Sequence, residues 1–458
     1  MDVWGPFASC HRHVSRPRWP LRGASTCDHD PTGQGVYGAT VMAILPIVRR
    51  LALLLAVGGV MAACATGASP SPSSSGGREW HLVDPDPVGL GGPFAVVDWH
   101  GGYVGVGGGG GEWDGQAWSS TDGTTWTASG LPSGGQPLPS DLVATPDSLL
   151  AVGCELEGER ELAVVWTSVD GVRWTQIPAD PDLAPRNGYR STWLQAIVAS
   201  PSGFVAVGTE WGDAGQHVVA WRSSDGRDWV RSDTELGGVS PGDLLVTNDR
   251  IVLAATDWPA GGGHDGEAAM FWYSEDGGQT WTRSAPSLED ASALALASRE
   301  GVLVAVGYRW TRSLDPFGLS RVPISWTSSD GRSWTPATDT PSVVPWAIAL
   351  PVPIDRGALQ GAGFAGVAAA ADGFLAVGQQ GGIVGPWAST DDVAPTRFRL
   401  DLWRSTDGQR WEALPATLVD APQESIRGNA GTSMTTVAGR TVVIGGSPDG
   451  AVMWFGSE

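Results

Sequence analysis

The chain has no lysine: all 28 basic residues are arginine, set against 49 acids among 458 residues. A net charge of −21 with no lysine-rich patch excludes the positive footprint that nucleic acid or an anionic lipid surface requires. An all-arginine complement also reads as high-GC coding, and so as a bacterial source. Cysteine is scarce, with only Cys10, Cys27, Cys64 and Cys154, which excludes a disulfide framework. Cys154 closes the apolar run that begins at Leu149 and reads as a small buried hydrophobe. The seven histidines are scattered and offer no zinc-ligand spacing. Tyrosine is limited to five residues, which leaves few candidates for a phenolic nucleophile. The longest apolar run, Leu51–Val60, is too short to read as a membrane-spanning helix.

What the chain has in quantity is 65 glycines, 33 prolines and 24 tryptophans, a composition that favours an all-β repeat architecture over helices. Ahead of the repeats, residues 1–41 show no apolar periodicity and read as an over-extended or disordered start. Residues 42–63 have the layout of an export signal: Met42, Arg49 and Arg50, the apolar Leu51–Val60, then Met61-Ala-Ala-Cys64. Small residues before a cysteine resemble a bacterial lipobox. That resemblance implies acylation of Cys64 and anchorage on the outer face of the cell membrane; a cleaved signal with secretion, and twin-arginine export, are the alternatives. Residues 64–77 are Ala, Thr, Gly, Ser and Pro, the composition of a flexible tether.

The repeats follow. Trp272-Tyr-Ser-Glu-Asp-Gly-Gly-Gln-Thr-Trp281 has five copies that are one residue shorter: Trp118–Trp126, Trp166–Trp174, Trp221–Trp229, Trp326–Trp334 and Trp403–Trp411. Each reads as a hairpin turn in which an aspartate accepts backbone hydrogen bonds and glycine takes positive φ. Asp122, Asp170, Asp225, Asp276, Asp330 and Asp407 are therefore structural, since a catalytic or metal-binding carboxylate is not needed once per repeat. The two tryptophans of each copy fall on neighbouring strands, where they can pack against the next unit.

Two further series agree. Apolar strands ending in Gly or Ala start at Tyr103, Leu149, Phe204, Ile251, Leu303, Phe374 and Val442, which makes seven. The tryptophan series also reaches seven, provided that Trp454 is matched with Trp80. The expected fold is therefore all-β: a seven-bladed β-propeller of four-stranded blades over 78–458, closed by an N-terminal outer strand, Arg78–Val83, pairing with the last blade. The repeat spacing is 46–55 residues except for 77 between Trp334 and Trp411, an interval assigned to two insertions, Pro336–Gly366 and Gln379–Asp401.

The repeated turn resembles the Asp-box (BNR) repeat of sialidase-like β-propellers, a likeness that covers nearly the whole chain after residue 79. The resemblance implies that the boxes lie on one rim and that ligands bind at the opposite face. Candidate residues there are Arg186, Tyr189, Arg190 and Trp193 in one loop, Arg356 in a second, and Glu424 with Arg427 in a third. Arginines from three blades could clamp a carboxylate or sulfate, the device that sialidases combine with a Tyr nucleophile and its Glu partner. Sialidases also carry an Arg-Ile-Pro motif before the first box and have six blades. Here Phe94–Val97 lacks arginine, and the similar Arg321-Val-Pro323 precedes the fifth box.

No catalytic set is recognised, and no metal or cofactor is expected. The acidic loops Glu155–Arg160, Glu210–Asp213, His264–Glu267 and Asp391-Asp392 lack the ligand spacing of a calcium site and read as solvated. Trp211, Trp258, Trp310, Trp346 and Trp387 lie outside the ladder and could form a stacking surface. The expected function is a monomeric, non-catalytic surface lipoprotein whose propeller is a binding or assembly platform for a protein or glycan. A divergent sialidase-like exo-glycosidase of the envelope and an assembly factor for a membrane complex stand as alternatives.

Overall fold

The computed structural model describes residues 80–83, 92–108, 115–213, 215–238, 240–247, 250–257, 266–285, 288–312, 319–338, 358–384, 397–422, 432–447 and 450–456. The expected export signal, Cys64 and the tether lie outside the described residues.

Seven blades are formed, each an antiparallel sheet running from an inner to an outer strand. Blade 1 comprises Gly92–Trp99, Gly102–Gly108, Gly115–Ser120 and Thr127–Gly130. Blade 2 comprises Gln136–Ala144, Leu149–Glu157, Arg160–Ser168 and Trp174–Gln176. Blade 3 comprises Ser191–Ser200, Gly203–Gly212, Gly215–Ser223 and Val230–Arg231. Blade 4 comprises Ser240–Thr247, Arg250–Asp257, Ala268–Ser274 and Thr282–Arg283. Blade 5 comprises Ala291–Arg299, Val302–Arg312, Leu319–Ser328 and Thr335–Pro336. Blade 6 comprises Ala358–Ala370, Gly373–Val384, Arg397–Ser405 and Glu412–Pro422. Blade 7 comprises Ser433–Val437, Arg440–Ser447 and Gly450–Gly456, and its outer strand is Trp80–Val83. The register of that last pairing sets Trp80 against Gly456 and Leu82 against Trp454, which closes the ring as the tryptophan series requires.

The Ser-x-Asp-Gly turns work through two side chains. In blade 3 the Asp225 carboxylate accepts from the backbone N–H groups of Arg227 and Asp228 at 2.9 and 3.0 Å. Ser223 Oγ accepts from Gly226 N at 2.8 Å, a role of the serine that the sequence pattern did not reveal. The same bonds recur at Ser120, Ser168, Ser328 and Ser405. The longer copy in blade 4 absorbs its extra residue with two glycines at positive φ, Gly277 and Gly278, so that Ser274 Oγ bonds Gly278 N one residue later.

The tryptophans pack against the preceding blade, not the following one. Trp166 and Trp174 of blade 2 join Val104, Val106 and Ala117 of blade 1. Trp221 and Trp229 join Leu150, Val152 and Val165 of blade 2, and the pattern continues to Trp403 and Trp411 against Val304 and Val306 of blade 5. Trp80 and Trp454 complete it against Leu375, Val377 and Leu402 of blade 6. The turn glycine meets the same neighbour: a Cβ on Gly226, at φ +75°, would stand 2.2 Å from Leu150 Cδ2. Glycine is thus required twice, for backbone conformation and for close approach.

The long interval differs from expectation. Ala358–Ala370 and Gly373–Val384 extend the inner hairpin of blade 6 into both supposed insertions, and Arg397–Ser405 reclaims the end of the second. The stretch from Ala358 to Gly363 is Gly- and Ala-rich with weak strand propensity, so pairing with Gln379–Val384 decides its structure. Its upper end also pairs in parallel with blade 5, Ser320 opposite Gln360 and Arg321 opposite Gly361.

Gly226→Ala is expected to destabilise the fold by about 1–3 kcal/mol from backbone strain alone, with a further loss from the clash at Leu150. Gly158→Ala, at φ +65° with nothing within 4 Å of its Cβ, carries only the first of these. Thermal unfolding should rank Gly226→Ala clearly below Gly158→Ala; equal losses would contradict the packing role.

Candidate functional site

The repeated turns and the hairpins between the first two strands of each blade share one face. The opposite face carries the hairpins between the second and third strands and the links between blades. The strand Trp80–Val83 runs from the turn face towards this loop face, because it is antiparallel to Gly450–Gly456.

On the loop face of blade 3, the link from blade 2 contains a short 3-10 turn, Pro181–Leu183, opened by proline and capped by Asp180. Asp180 also accepts from Trp229 N at 2.8 Å, which ties the link to the outer strand. Beyond it, Arg186 donates through Nε to the fully buried Glu210 carboxylate at 2.9 Å, and Arg231 Nη2 donates to the same group at 2.9 Å. Arg186 Nη2 also donates to His217 Nε2 at 2.6 Å, so the imidazole is the neutral tautomer with its proton on Nδ1. Burial, and secondarily the Arg186 charge, push the His217 pKa below its usual value. Tyr189 stands edge-on to His217, with ring centroids 4.8 Å apart.

The candidate clamp is therefore divided. Arg186 and Tyr189 come together, but Arg186 is committed to Glu210. Arg190 turns to Asp213 through Nη2 contacts of 2.6 and 2.8 Å, which raise its already high pKa. Trp193 is buried, and its Nε1 donates to Ser140 Oγ of blade 2 at 2.7 Å. Arg356, Glu424 and Arg427 lie outside the described residues.

A second cluster, absent from the sequence expectations as a unit, joins blades 4 and 5. Glu267 is buried and accepts from Tyr308 Oη at 3.2 Å and Trp310 Nε1 at 3.0 Å. Burial first, and the Glu267 charge with it, push the Tyr308 phenol up to about 12, while the charge of Arg321 opposes them. The Arg321 guanidinium carbon lies 4.2 Å from the Tyr308 ring centroid and 4.6 Å from that of Trp310. The hairpin register, Trp310 opposite Arg321 and Tyr308 opposite Pro323, puts these side chains on one face. That alternation was the available signal. Trp310 is thus buried, and Trp211 donates to Glu161 at 2.8 Å, so neither serves as an open stacking surface. Trp258, Trp346 and Trp387 lie outside the described residues.

Two aspartates bridge innermost strands. Asp141 accepts from its own strand at Leu142 N and from blade 3 at Ile197 N, both at 2.8 Å. Asp243 does the same with Leu244 N and Leu296 N of blade 5. Each keeps some solvent contact while protein encloses it. Desolvation pushes both carboxyls up to about 7, against the lowering effect of the N–H donors. No group of three or more His, Cys, Asp or Glu side chains able to hold a metal exists among the described residues. Of the acidic loops, Glu155 is engaged by Ser133 Oγ at 2.6 Å and Gly134 N at 3.0 Å.

The family described as the DUF6242 beta propeller domain matches residues 113–306, less than half of the chain. No curated protein matches. Among solved structures, Trypanosoma rangeli sialidase in complex with sialic acid is 13% identical, covers 83% of this chain and 59% of its own, and superposes with a TM-score of 0.41. Bombyx mori GH32 beta-fructofuranosidase BmSUC1 is 13% identical over 83% of this chain and 93% of its own, with a TM-score of 0.40. The chain thus spans little more than half the length of the sialidases it matches. At such values the reading of the site rests on its own residues.

The titrations have opposite signs. Asp141 and Asp243 have folded pKa values raised above the unfolded value, so their contribution to stability is complete at low pH and is lost as pH rises towards about 7. Backbone N–H donors hold Asp122, Asp170, Asp225 and Asp330 below the usual carboxylate range, so those contributions are lost only under strong acid. As pH falls from about 7 to about 5, stability is expected to rise by on the order of 1 kcal/mol per pH unit per carboxylate, and the melting temperature with it. The Asp141→Asn, Asp243→Asn variant should flatten that slope whatever its offset, and an unchanged slope would contradict the assignment.

Proposed function

We propose that the chain is a non-catalytic binding or assembly platform, built on Asp-box repeats and displayed as a surface lipoprotein through acylated Cys64. The observation that supports this reading is the internal pairing of three arginines and a tyrosine on the loop face of blades 3 to 5. Arg186 and Arg231 are held by Glu210, Arg190 by Asp213, and Tyr308 by Glu267. A phenol used as a nucleophile needs a depressed pKa and access to substrate, and Tyr308 is buried with its pKa raised. Loops cross-linked by such pairs suit recognition, in which a preorganised surface limits the entropy lost on binding.

The chain direction adds to the reading. Trp80 enters the ring at the turn face, so a tether leading from Cys64 would hold that face towards the membrane and present the loop face outwards.

The test is a hydrolysis screen of residues 65–458 on fluorogenic sialosides and a panel of other glycosides, with Tyr308→Phe alongside. No turnover above the no-enzyme rate is expected for either protein. Turnover that disappears in Tyr308→Phe would overturn the platform reading in favour of a glycosidase.

A further inference from the structure

The link from blade 2 to blade 3 is fastened by a side chain that has two carboxylates within reach. Arg231 Nη2 holds Ala184 O at 3.2 Å, and the N–H of Arg190 donates to Trp211 O at 2.9 Å. Between these anchors the chain makes a tight turn, closed by the N–H of Tyr189 on Arg186 O at 3.0 Å and permitted by Gly188 at φ +91°. Arg186 N and Nε both donate to Glu210, at 3.2 and 2.9 Å, which pins the turn to the second strand of blade 3. Its Nη1 lies 3.7 Å from Glu235, an exposed acid on the next link. One arginine therefore stands between a buried carboxylate and an exposed one.

His217 decides between them. Its Nε2 accepts from Arg186 Nη2 at 2.6 Å and lies 3.5 Å from Glu210 Oε2, the oxygen that Arg186 Nε occupies. The neutral imidazole thus completes the hold on the guanidinium. A proton on Nε2 removes that acceptor, sets two cations against each other at hydrogen-bond distance, and gives Glu210 a competing donor. The imidazole is partly exposed, so solvent protons reach it. The charged and titratable groups that bear on it are Arg186 and Tyr189 from the link, Glu210 from the second strand, Arg231 from the outer strand and Glu235 from the following link. Arg231 stays on Glu210 Oε1 at 2.9 Å, so the buried carboxylate keeps a cation after Arg186 has left.

From this geometry we infer that His217 is a proton-operated release for the turn Arg186–Tyr189: once protonated it takes Glu210 Oε2, Arg186 moves to Glu235, and the turn comes free of blade 3. In acid the loop face of blade 3 thereby loses a fixed turn and gains a mobile arginine. Burial and the Arg186 charge hold the imidazole neutral, so the release falls on the acid side of the usual histidine range. The closed turn is complete above that point and is lost as pH falls through it. Asp141 and Asp243 act with the opposite sign, since their contributions grow in acid, so they cannot mimic the release. The device goes beyond the platform reading and holds whether or not the chain is catalytic.

The experiment follows amide hydrogen exchange of the purified chain from about pH 7.5 to about pH 4.5, each rate normalised to the intrinsic rate at that pH, for the native protein, His217→Gln and Arg186→Met. In the native protein, protection of residues 185–189 is expected to fall roughly tenfold or more across the range, while the strands of blade 3 stay protected. His217→Gln, whose side-chain oxygen accepts from Arg186 at every pH, should keep that protection throughout. Arg186→Met should lack it from the start. In parallel, the Cε1–H resonance of His217 and the ring resonances of Tyr189 should titrate together in the native protein, where seven histidines and five tyrosines give few signals to assign. Protection that survives the titration of His217, an equal loss in His217→Gln, or an imidazole that stays neutral until the whole chain unfolds would each overturn the inference.

Discussion

Every blade depends on the contact it makes backwards. In blades 2 to 6, two tryptophans and one turn glycine lie against the apolar second strand of the blade before, as Trp221, Trp229 and Gly226 lie against Leu150 and Val152. The indole rings supply most of the area, since an aromatic side chain buries roughly 150–250 Å². A contact that always points backwards leaves the first blade without a predecessor unless the chain forms a ring. Trp80 resolves this: it supplies the last outer strand and packs with Trp454 on blade 6, while Phe455 and Met453 of blade 7 receive Val96 and Tyr103 of blade 1. The outer strands of most blades are only two to four residues long, which leaves little open edge for association with other chains.

Within the ring, blades 2 and 3 and blades 4 and 5 use the same polar devices at matching positions. Asp141 reaches Ile197 as Asp243 reaches Leu296, and Glu161 receives Trp211 as Glu267 receives Trp310. The two pairs then diverge where the loop face is built. Opposite Trp211 stands Gln216, whereas opposite Trp310 stands Arg321. Two residues before those tryptophans, blade 3 has Thr209 and blade 5 has Tyr308. The scaffold is shared, but the cation differs in place: Arg321 lies over Tyr308 and Trp310 in blade 5, whereas Arg186 lies over Tyr189 and Arg231 over Trp221 at blade 3.

The ring was legible because its determinants are local and periodic. Tryptophan spacing, Asp-Gly turns and apolar strands each count to seven or six, and the match of Trp80 with Trp454 gave the closure. The direction of tryptophan packing was not legible, since a linear repeat does not say which neighbour a side chain faces. Blade 6 misled for a related reason: its Gly-rich strand extension has no apolar signature and is stabilised by its partner strand. The site was harder still. Arg186 and Arg190 stood out as arginines in a distinctive loop, but their acids, Glu210 and Asp213, belong to another hairpin. Glu267 lies just before the third strand of blade 4, while Tyr308 and Arg321 lie on two strands of blade 5 and meet only through their register.

The most direct test of the closed ring is removal of its last strand. Chains starting at residues 65 and 84 would be compared by thermal unfolding and amide hydrogen exchange. Loss of Trp80–Val83 is expected to expose Leu375, Val377 and Trp454, lower the melting temperature sharply, and raise exchange first in blades 6, 7 and 1. An unchanged melting temperature with uniform protection around all seven blades would contradict the account.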